Sequence, residues 1–142
     1  MKHSTLDQMV LTLTLFGEAR GESFLGKKMI AHVIVNRAIK KGKPIAQMCL
    51  QAKQFSCWNG LQTIRSDDDD VNLTKLLYAT GDEPGYAECV RAAEEVLTSA
   101  GILDPTFGST HYHTLGVYPY WAKGHTPATT CGAHVFYNDI AF

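Results

Sequence analysis

The 142-residue chain has no hydrophobic run long enough to cross a bilayer and no excess of either charge. Its first apolar stretch, Met9 to Phe16, is interrupted by two threonines and falls far short of the roughly 20 residues a spanning helix needs. It also lacks a small-residue cleavage site after it, so the mature chain is expected to start at or near Met1 without a signal peptide. The net charge is −1 with acids and bases mixed along the chain. No concentrated basic face results, and nucleic acid is not an expected partner. The one basic cluster, Lys40, Lys41 and Lys43, follows an apolar helix and is explained by a favourable helix C-terminus. Cys49, Cys57, Cys89 and Cys131 include no CxxC pair and read as mostly buried thiols of a protein made in the cytosol, although an oxidising compartment would allow two disulfides in three connectivities. Repeats, low-complexity tracts and composition shifts are absent. At 45% hydrophobic residues, the chain is long enough for one well-buried domain and too short for two ordinary ones. Residues 1–142 are therefore expected to form one domain, and a monomer.

What the sequence does contain is a carboxylate in a costly place. Glu18 stands at the end of an apolar helical run within Gly17-Glu18-Ala19-Arg20-Gly21-Glu22. Ser4 and Thr5, with Asp7 and Gln8 three residues behind each, form a capping-box pattern that opens this helix. Its apolar residues fall on more than one face, so it should be largely buried. Gly21 offers a stop, which places Glu18 near the C-terminus, where the macrodipole opposes negative charge. Desolvation by neighbours such as Phe16 acts in the same direction, and both favour the protonated carboxyl that a general acid requires. A helix-end Glu paired with Arg20 or another arginine explains the position equally well, because structural ion pairs also perturb carboxylates.

Helical periodicity covers about two-thirds of the chain. Ser23 can cap a second helix with Phe24, Met29, Ile30, Val33, Ile34 and Ile39 as apolar positions, ending at Gly42. A short helix is expected from Pro44 to about Leu50, then a loop from Gln54 to Gly60. The acid run Asp67 to Asp70 lacks the alternating ligands and central glycine of a calcium loop. It is read as capping and solvating a helix from Val71 to Thr80. Asp82-Glu83-Pro84 opens a further helix to about Ser99, closed by Gly101, with Tyr86, Val90, Ala93 and Leu97 inward. From Thr106 onward loops and a small β element are expected, with His134 to Tyr137 as the best strand.

Binding-competent side chains concentrate late. His111, Tyr112, His113, Tyr118, Tyr120 and Trp121 lie in a segment without helical or strict strand period. Aromatic faces with adjacent hydrogen-bonding groups suit a sugar chain, while packing of these rings against the helices is the plainer alternative. His111, His113, His125, Cys131 and His134 could supply zinc ligands, yet no HExxH is present and no spacing matches a zinc module. No metal or other cofactor is expected.

Taken in order, several segments resemble the SleB/CwlJ cell wall hydrolase family. They are Glu18-Ala19-Arg20-Gly21-Glu22 with Gly26, Ala31 to Val35 with Asn36-Arg37, and Gln54-Phe55-Ser56. Further on come Ala92 to Leu97, Asp104-Pro105-Thr106, His111-Tyr112-His113, Pro119 to Ala122 and Gly132 to Tyr137. These matches cover nearly the whole chain, and residues 60–85 match least well. The resemblance implies an α+β, mainly α, lysozyme-like fold similar to goose-type lysozyme and lytic transglycosylases, with a small C-terminal β element. It also implies action on bacterial peptidoglycan glycan strands, with Glu18, the first Glu of the EARGE motif, as catalytic acid. Glu22 is kept as a supporting residue. Substrate contacts are expected from Glu22, Gln54, Phe55, Ser56, His111, Tyr112, His113, Tyr120 and Trp121.

Glycosidases ordinarily use two carboxylates, and no second one here has a context comparable to that of Glu18. A lytic transglycosylase needs only one, because the MurNAc 6-hydroxyl attacks its own anomeric carbon. A catalytic domain without export signal or wall-binding module fits a phage endolysin, held in the host cytoplasm until membrane holes release it to the wall, without inserting into the membrane itself. A CwlJ-type spore-cortex enzyme is the competing setting. A zinc amidase or a non-catalytic wall-binding protein would need, respectively, the late His/Cys group or binding without lysis.

Overall fold

Ser4 opens the first helix as its pattern predicts, its side chain taking the Asp7 N–H while Asp7 accepts from the Ser4 N–H. Such a cap contributes about 1 kcal/mol. In this computed structural model, which describes residues 2–51, 54–61, 67–79, 81–99 and 103–142, the helix α1 spans Thr5–Ala19. Asp7 also accepts from the Ala46 N–H at 2.8 Å, tying the start of α1 to the third helix. No local pattern in the sequence marks that cross-link. Leu11, Leu15 and Phe16 are buried as expected, whereas Leu6 and Met9 stay exposed.

Helix α2, Phe24–Lys41, starts at the Ser23 cap and ends at Gly42, whose left-handed φ of 62° closes the helix with its N–H on the carbonyls of Ala38 and Ile39. Met29, Ile30, Val33 and Ile34 are buried in the core, whereas Phe24 is only partly covered and Leu25 and Ile39 are exposed. Helix α3, Ile45–Leu50, follows with Pro44 as cap residue.

Three expectations need correction. Residues from Ser56 to Leu61 wind as a 3₁₀ turn rather than an open loop, because Trp58 is drawn into the core and donates its indole N–H to Thr14 Oγ1 at 2.9 Å. Helix α4 runs Asp67–Leu77, so the acid run forms its first turn instead of preceding it, where the macrodipole favours negative charge. Third, His111–Thr114 is a regular strand, β1. Its alternation is hidden in hydropathy because both faces carry rings or polar groups. The expected helix ends at Thr80 and Gly101 lie outside the described residues.

Helix α5, Tyr86–Ser99, packs on both α1 and α2. Its buried stripe is Cys89, Ala92, Ala93, Val96 and Leu97, with the expected Tyr86 and Val90 only partly covered. Strands β2, Thr129–Cys131, and β3, His134–Tyr137, complete an antiparallel sheet in the order β1-β3-β2. Tyr112 pairs with Phe136 and His113 with Val135. The sheet therefore has two distinct faces. Phe136 belongs to the helical core, with Tyr112 and Cys131 packed against that core. Val135 and Tyr137 join Ala122, Ile140 and Trp121 in a small second cluster.

The sheet is held to α2 by a polar hub. Asn36 donates to Asp104 Oδ2 and to the Ser109 carbonyl, each at 2.9 Å. Asp104 also accepts from the Thr106 N–H and hydroxyl and the Gly108 N–H. Burial alone would raise the Asp104 carboxyl, but the hydrogen bonds from Thr106 and Asn36 and the nearby His32 hold it below the usual range.

Candidate active site

Glu18 lies on the last turn of α1, partly exposed. Its carboxylate accepts from the Cys57 N–H at 3.3 Å and stands 3.5 Å from the Ser56 hydroxyl. The approach depends on Gly17. A Cβ there would fall 2.6 Å from Cys57 Cβ and 2.8 Å from its Sγ, so a larger residue would lift the 3₁₀ turn off the helix. Burial pushes the Cys57 thiol well up, and the Glu18 charge adds to the shift. The thiol therefore stays protonated, a poor nucleophile beside the carboxylate.

Tyr112 points from β1 towards the helices. Burial raises its phenol, Glu18 and Glu22 raise it further, and Arg37 pulls it back. Its hydroxyl thus stays neutral within electrostatic reach of two carboxylates and a guanidinium. Arg37 is itself largely desolvated, which lowers it, while Tyr112 opposes the shift. It remains a cation. It donates to the Thr110 carbonyl and, at 3.3 Å, to Gln54 Oε1, and its guanidinium lies 5.7 Å from the centre of the Phe55 ring. Arg37 thus fixes Gln54 and Phe55 beside the strand that carries Tyr112. In the sequence Arg37 stands out only as part of a family motif; a charge among Val33, Ile34 and Ala38 on a buried helix is the further signal that points to it.

Glu22 sits just before the Ser23 cap and receives His134 Nδ1–H at 2.8 Å. His134 in turn meets Tyr112 edge-on, with ring centres 5.3 Å apart. The β2–β3 turn crosses close by, with Gly132 at φ 55° and room there for a Cβ no nearer than 3.7 Å to Glu22. The Glu22 carbonyl takes the ammonium of Lys27 at 2.6 Å. Lys27 is buried and also pairs with Glu88 at 3.1 Å, which anchors the Glu18–Glu22 corner to α5. Sequence reasoning missed this lysine.

Glu18, Glu22, Gln54, Phe55, Ser56 and Tyr112 are therefore brought to one side of the sheet. His111, His113 and Trp121 are not. They occupy the opposite face, where Trp121 packs edge-on against His111 and His113 at 5.0 and 5.7 Å. His113 donates from Nδ1 to the Thr114 carbonyl at 2.7 Å and pairs through Nε2 with the Tyr137 hydroxyl at 2.9 Å. Burial drives His111 down to about 4, assisted by Arg37 and Lys40. Tyr120 is 87% exposed and lies under the Lys123 ammonium. The same division separates the candidate zinc ligands, with His134 and Cys131 on the inner face and His111 and His113 on the outer. Among the described residues no group of three or more His, Cys, Asp or Glu is placed to hold a metal ion, and no helix is long and apolar enough to cross a membrane.

The fold has solved counterparts. The catalytic domain of the germination-specific lytic transglycosylase SleB from Bacillus anthracis superimposes with a TM-score of 0.68 at 20% identity, covering 95% of this chain and 96% of that one. The catalytic domain of the Bacillus cereus SleB protein gives 0.64 at 21% identity, covering 96% and 92%. The architecture is accordingly lysozyme-like, as expected. A search of curated proteins finds no match. A family model described as cell wall hydrolase matches residues 21–137, beginning just past Glu18 and taking in Glu22, Arg37, the Gln54–Ser56 motif and the whole sheet. By that match the chain belongs to the cell wall hydrolase family.

Proposed function

We propose that the protein cleaves the MurNAc–GlcNAc bond of peptidoglycan glycan strands, with Glu18 as the acid and then the base of a lytic transglycosylase. The observation that carries this reading is the seat of Glu18, a carboxylate held by the Cys57 N–H and Ser56 at the edge of the helical core with the neutral Tyr112 hydroxyl nearby. Glu18 gives its proton to the glycosidic oxygen, which leaves as the GlcNAc 4-hydroxyl. The MurNAc 6-hydroxyl then bonds to the anomeric carbon and returns its proton to Glu18, so the product ends in a 1,6-anhydro ring and no water is consumed. In this reading Gln54 and Tyr112 hold the sugar and face developing positive charge. The Bacillus anthracis counterpart is itself a lytic transglycosylase, which supports the same choice.

A hydrolytic muramidase is the second reading. Glu22 supplies a second carboxylate near Tyr112, but its oxygen is already engaged by His134. The proposed setting is a phage endolysin acting as a monomer. Glu18→Gln tests the assignment. The variant is expected to keep its melting temperature and lose at least about 100-fold in lysis of purified sacculi, the scale of general acid catalysis; retention of a tenth or more of the activity would overturn it.

A further inference from the structure

Two adjoining cavities between α1 and α4 share Phe16, Arg20 and Lys75. The inner one, of about 120 Å³, is also walled by Ser56, Cys57 and Leu76. Ser56 and Cys57 are the residues that touch the Glu18 carboxylate, so a sugar held at Glu18 has this cavity within reach of a substituent. Its charge is one-sided. Among the described residues Arg20 and Lys75 line it without any acid, and Glu83 enters only at the outer cavity. The Arg20 guanidinium lies 4.9 Å from the centre of the Phe16 ring, a cation–π contact that steadies its plane and leaves its N–H edges for a ligand. Neither Arg20 nor Lys75 forms an ion pair among the described residues.

A pocket with two such cations and an apolar floor suits a small group with a carboxylate. GlcNAc carries no such group. Muramic acid does, on the substituent at its 3-oxygen, either as the lactyl carboxylate or as a carboxylate of an attached stem peptide. We propose that the Arg20–Lys75 pocket is a subsite for the carboxylate borne by that muramyl substituent, and that it tells muramyl residues from neutral sugars beside Glu18. The proposal rests on the glycan-cleaving reading. Arg20 and Ser56 lie in segments that resemble the family, whereas Lys75, on α4, lies in the stretch that resembles it least and is this chain's own contribution to the pocket.

Three substrates separate the carboxylate sources. Amidase-stripped strands carry only lactyl carboxylates, peptide-bearing strands carry stem carboxylates, and peptide-bearing strands amidated with carbodiimide carry none. Wild-type protein is expected to favour one of the first two over the third by about fivefold or more in kcat/KM, the worth of one or two partly exposed charge-assisted contacts. Lys75→Gln and the Arg20→Gln/Lys75→Gln pair should bring that ratio towards one, chiefly through KM. A wild-type enzyme with no preference, or variants that keep it in full, overturns the proposal. Binding measurements with N-acetylmuramic acid and with muramyl dipeptide, each against its amidated form, read the pocket without turnover: tighter binding of either acid, lost in Lys75→Gln, supports the subsite, and equal binding within both pairs excludes it. Failure of the glycan-cleaving reading would show separately, as wild-type protein releasing no glycan fragments from any of the three strands.

Discussion

The backbone N–H of Cys57 reaches the Glu18 carboxylate at 3.3 Å because Gly17, one residue earlier on α1, presents no side chain to keep the two segments apart. The proposed acid is thus positioned by a missing Cβ.

Gly17→Ala should therefore harm activity more than an alanine in a helix normally would. Alanine has the better helix propensity, but its methyl would overlap Cys57, and overpacking of this kind costs about 1–3 kcal/mol. We expect a lower melting temperature together with at least a tenfold loss of kcat, roughly what a misplaced catalytic group costs. Urea melts and turbidity assays on the same preparation check it; a stable, fully active variant would contradict the close contact.

Tyr112→Phe removes only the hydroxyl that Glu18, Glu22 and Arg37 all influence. Lysis should fall about 10- to 100-fold, in line with loss of a preorganised hydrogen bond at developing charge, while the ring keeps its contacts with Phe136 and His134. A variant as active as wild type would remove Tyr112 from the site.

The first helices were legible because their signals are local. Ser4, Ser23 and Gly42 mark boundaries through cap chemistry that the structure reproduces. The partition of the late aromatic group was not legible. Whether Tyr112 and His113 point the same way depends on β1 being a strand, and that is decided by pairing with β3, more than twenty residues away. Likewise Lys27 reads as a surface residue in sequence, and only the packing of α5 reveals that it is buried against Glu88.

Stability should decline on mild acidification. Burial depresses His111 to about 4 and lowers His32 despite the opposing charge of Asp104, whereas in the unfolded chain histidine protonates near pH 6.5. Above that pH both states are neutral and nothing is lost. As pH falls from about 6.5 to about 4 the unfolded chain binds protons that the folded one does not, which favours unfolding. The lowered carboxyls of Asp7 and Asp104 act below this window. The melting temperature of wild type should drop by about 5 °C between pH 7 and pH 5, and His111→Phe, which keeps the ring contacts with Trp121 and Phe142, should show a shallower fall. Equal slopes would refute the role given to His111.

Thiol reactivity offers an independent check on the core. The four cysteines are unpaired; burial pushes Cys49 to about 12, Cys89 to about 11 and Cys57 well up, while Cys131 is partly exposed. A thiol reagent at pH 8 should therefore label Cys131 alone quickly in the native protein and all four cysteines in denaturant. Rapid native labelling of Cys57 would contradict its burial beside Glu18.

Mass spectrometry of glycan strands digested by wild-type protein bears most directly on the central claim. A single acting carboxylate at Glu18 with internal attack by the 6-hydroxyl predicts fragments ending in 1,6-anhydro-MurNAc, abolished by Glu18→Gln and insensitive to chelator. Reducing MurNAc ends would show that water is the nucleophile and contradict the one-carboxylate mechanism, and free stem peptides with intact strands would contradict glycan cleavage altogether.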